Sequence, residues 1–205
     1  MEIKTLQVGP IGTNCYLLCD EIEKRCAVID PGGDAVRVAA AVKGTGCAPC
    51  AILLTHGHYD HTGGAADLAA RWPDVPIYLN RRDVYAGGAG LQQLFPPVPG
   101  ARDYDEGDAI AVGGLTVEVL ATPGHSEGSV TLRCGDVLFC GDTLFAGSCG
   151  RTDFPGGSMK KILASLRRLG DLPGDFRVYP GHMEPSTLER ERQGNYYMLQ
   201  AAAER

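Results

Sequence analysis

The sequence predicts an α+β protein in which two β-sheets stack face to face and carry helices on their outer sides. The two halves of the chain share one plan, several apolar strand-like runs and then helical segments, and each sheet needs an apolar partner surface. The runs have the length of buried strands and close in Gly or Pro, the punctuation of strands feeding loops. At 205 residues the chain can bury one large core, so a single domain over residues 1–205 is expected.

Residues 3–8, 14–19 and 25–30 alternate or run apolar, with Gly9-Pro10-Ile11-Gly12-Thr13-Asn14 and residues 20–24 as turns. This reads as an antiparallel meander, closed by Asp30-Pro31-Gly32-Gly33. Asp34 then caps a helix with Val36, Val38, Ala39, Ala40 and Val42 apolar, which stops at Gly44-Thr45-Gly46. A strand over 51–54 leads into a polar turn, and Thr62-Gly63-Gly64 opens a helix running to about Trp72. A short strand, Ile77-Tyr78-Leu79, and a short helix from Arg81 to Ala86 follow. Residues 87–107 are irregular, with an apolar centre from Leu91 to Pro99. Two readings suit that stretch, a loop packed on the core and a flap over a site. Strands are predicted at 108–112, 115–121, 129–134 and 136–140, a loop at 151–157, a helix at 158–169, a strand at 176–179 and a terminal helix at 186–203.

The chemistry concentrates in the polar turn, Thr55-His56-Gly57-His58-Tyr59-Asp60-His61. Side chains packed so closely suit cations better than a proton relay, because neutral imidazole and ionised carboxylate are the usual nitrogen and oxygen donors for zinc or iron. On an extended turn His56 and His58 point the same way, while Asp60 and His61 come from its far end and could serve a second ion. The chain has only five histidines; the other two, His125 and His182, each follow an apolar run and a Pro-Gly turn. A further run, residues 137–140, ends in Gly141-Asp142-Thr143. Every imidazole therefore sits at a strand end, which points to a common metal site. Asp30, at the end of the third strand, is a reasonable holder of a ligand imidazole by its free N–H.

Composition narrows the class. An apolar fraction of 44% with 21% charged residues is that of an ordinary soluble globular protein. No run approaches membrane-spanning length, and the N-terminus has no basic or apolar leader pattern, so a cytoplasmic location is expected. A net charge of −6 argues against a nucleic-acid partner. The eight cysteines are then expected to be reduced, most of them acting as small hydrophobes in strands. Cys47-Ala48-Pro49-Cys50 has the spacing of a redox pair or half a zinc site, but no second CxxC accompanies it.

His56-Gly57-His58-Tyr59-Asp60-His61, followed by His125, Asp142 and His182, resembles the metallo-β-lactamase superfamily of αββα-sandwich hydrolases over residues 9 to about 197. The resemblance implies a four-layer sandwich of two mixed sheets flanked by helices. It implies that His56, His58 and His125 hold one divalent cation and Asp60, His61 and His182 a second, with Asp142 between them. Zinc is the default, and iron or manganese would also suit mixed nitrogen and oxygen ligation. Within the superfamily, residues 9–16, Gly141-Asp142-Thr143-Leu144-Phe145 and Gly150-Arg151-Thr152-Asp153-Phe154-Pro155 resemble the short hydroxyacylglutathione hydrolase-like (glyoxalase II-like) branch. The sequence departs from that branch by ending soon after His182, without the helical C-terminal domain that supplies much of the glutathione contact, and by Asn195-Tyr196-Tyr197 in place of Asn-Pro-Tyr or Asn-Pro-Phe. Cys149-Gly150-Arg151-Thr152-Asp153-Phe154 also resembles persulfide dioxygenases, in which a single iron would be held at the positions of His56, His125 and Asp142.

The favoured expectation is a binuclear metal hydrolase of a small-molecule thioester such as S-lactoylglutathione. Water activated between two cations would attack, with Asp60 orienting it as well as ligating. A thiolate leaves without a general acid because thiol pKa values are about 8.5. Tyr16 and Arg151 are candidates for substrate contact. Tyr16 equally suits the core, and Arg151 equally suits an ion pair with Asp153 or Asp142. A mononuclear iron dioxygenase is the alternative. A purely structural metal module fits less well, since closed structural sites take four donors and seven are available here.

Overall fold

A computed structural model of the protein describes residues 1–84 and 91–204. The first sheet has the order β1 (Glu2–Val8), β2 (Thr13–Asp20), β3 (Arg25–Ile29), β4 (Ala48–Leu53) and β5 (Ile77–Tyr78). The first three strands form the antiparallel meander read from the sequence, while β4 and β5 join in parallel, so the sheet is mixed. Its crossovers carry α1 (Ala35–Thr45), a single turn α2 (Tyr59–Thr62) and α3 (Ala65–Arg71), and α4 (Arg81–Val84) follows β5.

The second sheet has the order β13 (Ser186–Thr187), β12 (Arg177–Pro180), β9 (Val137–Gly141), β8 (Val130–Cys134), β7 (Leu115–Ala121) and β6 (Ala109–Val112). Only β9 and β12 pair in parallel. The crossover between them carries a hairpin of β10 (Leu144–Phe145) and β11 (Ser148–Cys149), then α5 (Met159–Gly170). Helices α6 (Leu188–Gly194) and α7 (Tyr196–Ala203) close the chain.

The period-2 alternation of β2 explains the layering. Cys15, Leu17 and Cys19 face the helix side with Val38 and Leu68, whereas Tyr16 and Leu18 face the second sheet with Val119, Leu132 and Phe139. A third apolar layer packs Leu138 and Val178 against Leu163, Leu166 and Met198 of the outer helices. The result is the expected αββα sandwich. Among the described residues no helix is long and apolar enough to cross a membrane.

The structure corrects several element readings. Asp34 occupies the N-cap position in a left-handed conformation (φ 51°) without a side-chain cap bond; its carboxylate instead accepts from the Gly9 amide at 3.1 Å. The predicted terminal helix divides, because Ser186 and Thr187 pair with β12 and Asn195 leaves helical geometry (ψ 117°) to cap α7. The two-residue strands β10 and β11 have no counterpart in the sequence reading. The helix from Arg81 is helical to Val84; its predicted end at Ala86, and residues 87–90 of the irregular stretch, lie outside the described residues. Beyond them Phe95 is buried, as a loop packed on the core requires, and Leu94 lines the cleft described below. Cys47 and Cys50 bond to different backbone carbonyls, of Asp20 at 3.8 Å and Cys26 at 3.4 Å, and pack on opposite sides of the sheet.

Candidate metal centre

Every metal-ligand candidate sits where a sheet strand hands over to a loop. β4 ends at Leu53; His56 follows in a bend and His58 on extended backbone, with ring centroids 4.7 Å apart. Asp60 and His61 lie on the single turn of α2, which the sequence pattern does not announce. His125 follows β7, Asp142 follows β9 and His182 follows β12. The parallel pairing of β9 with β12 puts Gly141 opposite Pro180 and brings the last two together.

Among the described residues three groups of side chains converge closely enough to share an ion: His56, His58 and His125; Asp60, His61 and His182; and His56, His61 and Asp142. Asp142 stands between the first two. Its Oδ2 is 3.4 Å from His125 Nε2 and 3.6 Å from His182 Nε2, and its Oδ1 is 3.3 Å from His61 Nε2. Donor atoms held about 2.1 Å from a shared tetrahedral cation stand about 3.4 Å apart, so this spacing suits ligation. Asp60 Oδ2 lies 3.1 Å from His182 Nε2 and 3.4 Å from His61 Nε2.

Buried polar atoms normally find partners, yet His56 Nε2, His58 Nε2, His61 Nε2 and Asp142 Oδ1 are buried without one. His58 Nδ1 also faces His125 Nε2 at 2.8 Å, a nitrogen pair that needs a proton or a cation between its lone pairs. Divalent cations account for the nitrogen pair and for the orphaned atoms of His56, His61 and Asp142, and these residues fit them.

The far sides of the His61, His125 and His56 rings are held. His61 Nδ1 donates to Asp30 Oδ2 at 2.9 Å, and His125 Nδ1 donates to the Arg151 carbonyl at 2.8 Å. Thr55 gives its hydroxyl proton to Asp30 Oδ2 at 2.7 Å, so at 3.1 Å it can only accept from His56 Nδ1. Each bond fixes a tautomer whose opposite nitrogen faces the centre. Asp30 is buried and left-handed (φ 51°), an unusual conformation of the kind that clusters at functional sites.

Electrostatics divides the cluster into acceptors and a proton holder. Burial, then the neighbouring rings, push His56 well below its ordinary pKa and His58 down to about 3. Burial also acts on His61, but the Asp142 and Asp30 carboxylates outweigh it and hold its pKa well above the usual value. Burial opposes charge on Asp60 and Asp142, yet adjacent imidazoles keep both carboxyls below their usual range.

Asp83 is a positioning residue with no mark in the sequence. Its buried carboxylate accepts from the Gly57 amide at 2.8 Å, the Gly128 amide at 2.7 Å and the Ser126 hydroxyl at 2.6 Å. It thereby ties the His56–His58 turn to the His125 loop. A Cβ on Gly57 or Gly128 would lie 2.8 or 2.7 Å from Asp83 atoms, which is the one trace it leaves in residue choice.

A cleft of about 480 Å³ opens over the cluster, lined by His58, Asp60, His125, Asp142 and His182 beneath and by Ile11, Phe145, Phe154 and Met183 around. Arg151 borders it and makes the ion pair that the sequence offered as one alternative: it forms two bonds to Asp153, at 2.7 and 2.6 Å, and stacks 3.8 Å over the Phe154 ring. Tyr16 does not reach the cleft. It is 1% exposed between the sheets and its hydroxyl donates to the Pro180 carbonyl at 2.5 Å; the proposed substrate contact is corrected to a core and turn-holding role.

Comparison with known proteins agrees with this architecture. Relatives include a probable metallo-hydrolase of Bacillus subtilis, 34% identical over 97% of this chain and 98% of the relative. A hydroxyacylglutathione hydrolase of Haemophilus influenzae is 33% identical over the same shares, 97% and 98%. Similar solved structures are the BLEG-1 B3 metallo-beta-lactamase (TM-score 0.86, 32% identity, 96% and 99% of the two chains) and TTHA1623 in a di-iron-bound form (0.81, 37%, 95% and 99%). ETHE1 from Myxococcus xanthus is also similar (0.80, 30%, 96% and 84%). The family model for the metallo-beta-lactamase superfamily matches residues 8–182, and the chain belongs to that superfamily.

Proposed function

We propose that the protein is a binuclear metal-dependent hydrolase of thioesters. The observation that carries this reading is the position of Asp142, within 3.6 Å of donor atoms from both flanking triads, on the floor of an open cleft. His56, His58 and His125 would hold one cation, Asp60, His61 and His182 the other, and Asp142 would touch both; zinc is favoured, with iron or manganese suiting the same donors. When bound, such cations make water a nucleophile near neutral pH and polarise a carbonyl.

The chain's own groups would do the rest. Asp60, fixed by the Thr13 hydroxyl at 3.1 Å, is ionised and lines the cleft, placed to orient the attacking water as well as to ligate. The departing thiolate needs no proton donor, since its conjugate acid has a pKa of about 8.5, and all five histidines of the chain are engaged in the cluster. Leu94, Phe145 and Phe154 in the cleft wall would exclude bulk water around the scissile bond. Relatedness to a hydroxyacylglutathione hydrolase along nearly the whole chain supports the thioester class.

The test is hydrolysis of S-lactoylglutathione and of a simple acyl thioester, with metal content measured on the same sample. About two metals per chain and thioester cleavage support the reading. Likeness to ETHE1 supports a second one, a persulfide dioxygenase using one iron at His56, His125 and Asp142. One iron per chain with oxygen uptake on a persulfide would replace the first reading by the second.

A further inference from the structure

The walls of the cleft carry more information than its floor. Above the metal-ligand candidates they are built from Ile11, Tyr59, Leu94, Phe145, Phe154 and Met183. Three of these stand open to solvent at the mouth: Ile11 is 53% exposed, Met183 51% and Tyr59 40%. Large apolar side chains gathered around the rim of a concavity mark a surface meant to be covered.

Their placement is fixed by the backbone. Met183 adopts φ 70°, unusual for a residue with a side chain, and the Asn14 side-chain amide holds its carbonyl at 2.9 Å. Ile11 lies in a turn between Gly9 and Gly12, whose φ values of 68° and 70° only glycine adopts freely. Both apolar groups are therefore presented at the rim by local geometry.

Charge in the cleft is scarce. Arg151 is the one cationic side chain among the described residues lining it, and its Nε–Nη2 edge is taken by Asp153. A glutathione moiety brings two carboxylates and an ammonium, each of which loses hydration on binding unless a partner replaces it. Among the described residues the cleft walls offer one cationic side chain to a carboxylate, already shared with Asp153.

We propose that this cleft selects thioesters with apolar groups on both sides of the scissile bond, carried on an uncharged thiol, over glutathione thioesters. The inference rests on the thioesterase reading for its reaction and on the cleft walls for its selectivity. The two parts separate by experiment.

Binding is tested by calorimetry on the zinc-loaded protein with two non-cleavable thioethers sharing one alkyl arm, S-hexyl-N-acetylcysteamine and S-hexylglutathione. The first is expected to bind at least about tenfold tighter, the scale of one buried apolar side chain. A double variant, Ile11→Ser with Met183→Ser, should weaken that ligand by about tenfold, and Met183→Leu alone should retain it. Equal or tighter binding of the glutathione thioether, or no binding of either, overturns the inference. If the apolar thioether binds as expected while neither S-hexanoyl-N-acetylcysteamine nor S-lactoylglutathione is cleaved, the hydrolase reading fails and the selectivity of the cleft stands.

Discussion

Ser126 donates its hydroxyl to the buried carboxylate of Asp83 at 2.6 Å, and this contact joins the His125 loop to α4. The same carboxylate takes the amides of Gly57 and Gly128, so three donors meet one residue. In Asp83→Asn an amide NH₂ faces at least one of those donors whichever way the side chain turns. Metal affinity at the His56, His58 and His125 group should fall by about 10- to 100-fold, with the Asp60, His61 and His182 group little changed. Chelator competition resolves the two steps, and two unaltered affinities would rule the positioning role out.

Metal uptake should release a proton from His61. Its pKa is held well above the ordinary value by the Asp142 and Asp30 carboxylates, which favour the charged form in the metal-free protein, and it must be neutral to ligate. His56 and His58, pushed down by burial, are already neutral there, and the lowered carboxyls of Asp60 and Asp142 are already ionised. Calorimetric titration in two buffers of different ionisation enthalpy at pH 7 should therefore report about one proton released from His61. The same shifts set stability signs for the metal-free fold. His56 and His58, with depressed folded pKa values, stabilise above about pH 6.5 and lose that contribution as pH falls. His61, with a raised one, stabilises below about pH 6.5 and loses it as pH rises through its folded pKa.

Gly181→Ala tests how tightly the centre is packed. A Cβ there would lie 2.3 Å from Asp142 Oδ1 and 2.6 Å from His61 Cε1, and the backbone of Gly181 is itself bonded to Gly141 and Asn14. Displacing Asp142 by an ångström should cost about 100-fold in activity and lower metal stoichiometry, with far-UV circular dichroism unchanged. Full metal loading in this variant would mean the donors are softer than their packing implies.

Tyr16→Phe should lower stability by about 1 kcal/mol, the scale of one hydrogen bond, because the Pro180 carbonyl keeps its bond from the Asn14 amide at 3.1 Å. KM for any accepted substrate should stay within about twofold, far below the tenfold that a lost 1.4 kcal/mol contact would produce. A larger KM effect in urea-stable protein would return Tyr16 to the substrate.

All seven ligand candidates and Asp30 were legible from residue type alone, because imidazole and carboxylate at strand ends are expensive choices for anything but a polar centre. The sandwich was legible for a similar reason: strands as apolar as β2 and β9 need cover on both faces. What escaped reading acts through the backbone. Asp83 meets peptide amides, which every residue has. The β10–β11 hairpin is too short to show a period. Asn195 is a good N-cap residue, but a continuous helical pattern on either side masks the break it makes.

That break has a reach beyond its own turn. The Asn195 side chain, besides capping α7, donates to the carbonyls of Phe145 and Ser148 at 3.2 and 2.9 Å, and buried Glu191 accepts from the Gly147 amide at 2.7 Å. The chain's last two helices thus act as a bracket for the wall that bears Phe145, though they contribute no ligand. Exchanging this tail between homologues would reshape substrate preference while leaving the inorganic chemistry intact, which makes it the natural handle for engineering the protein.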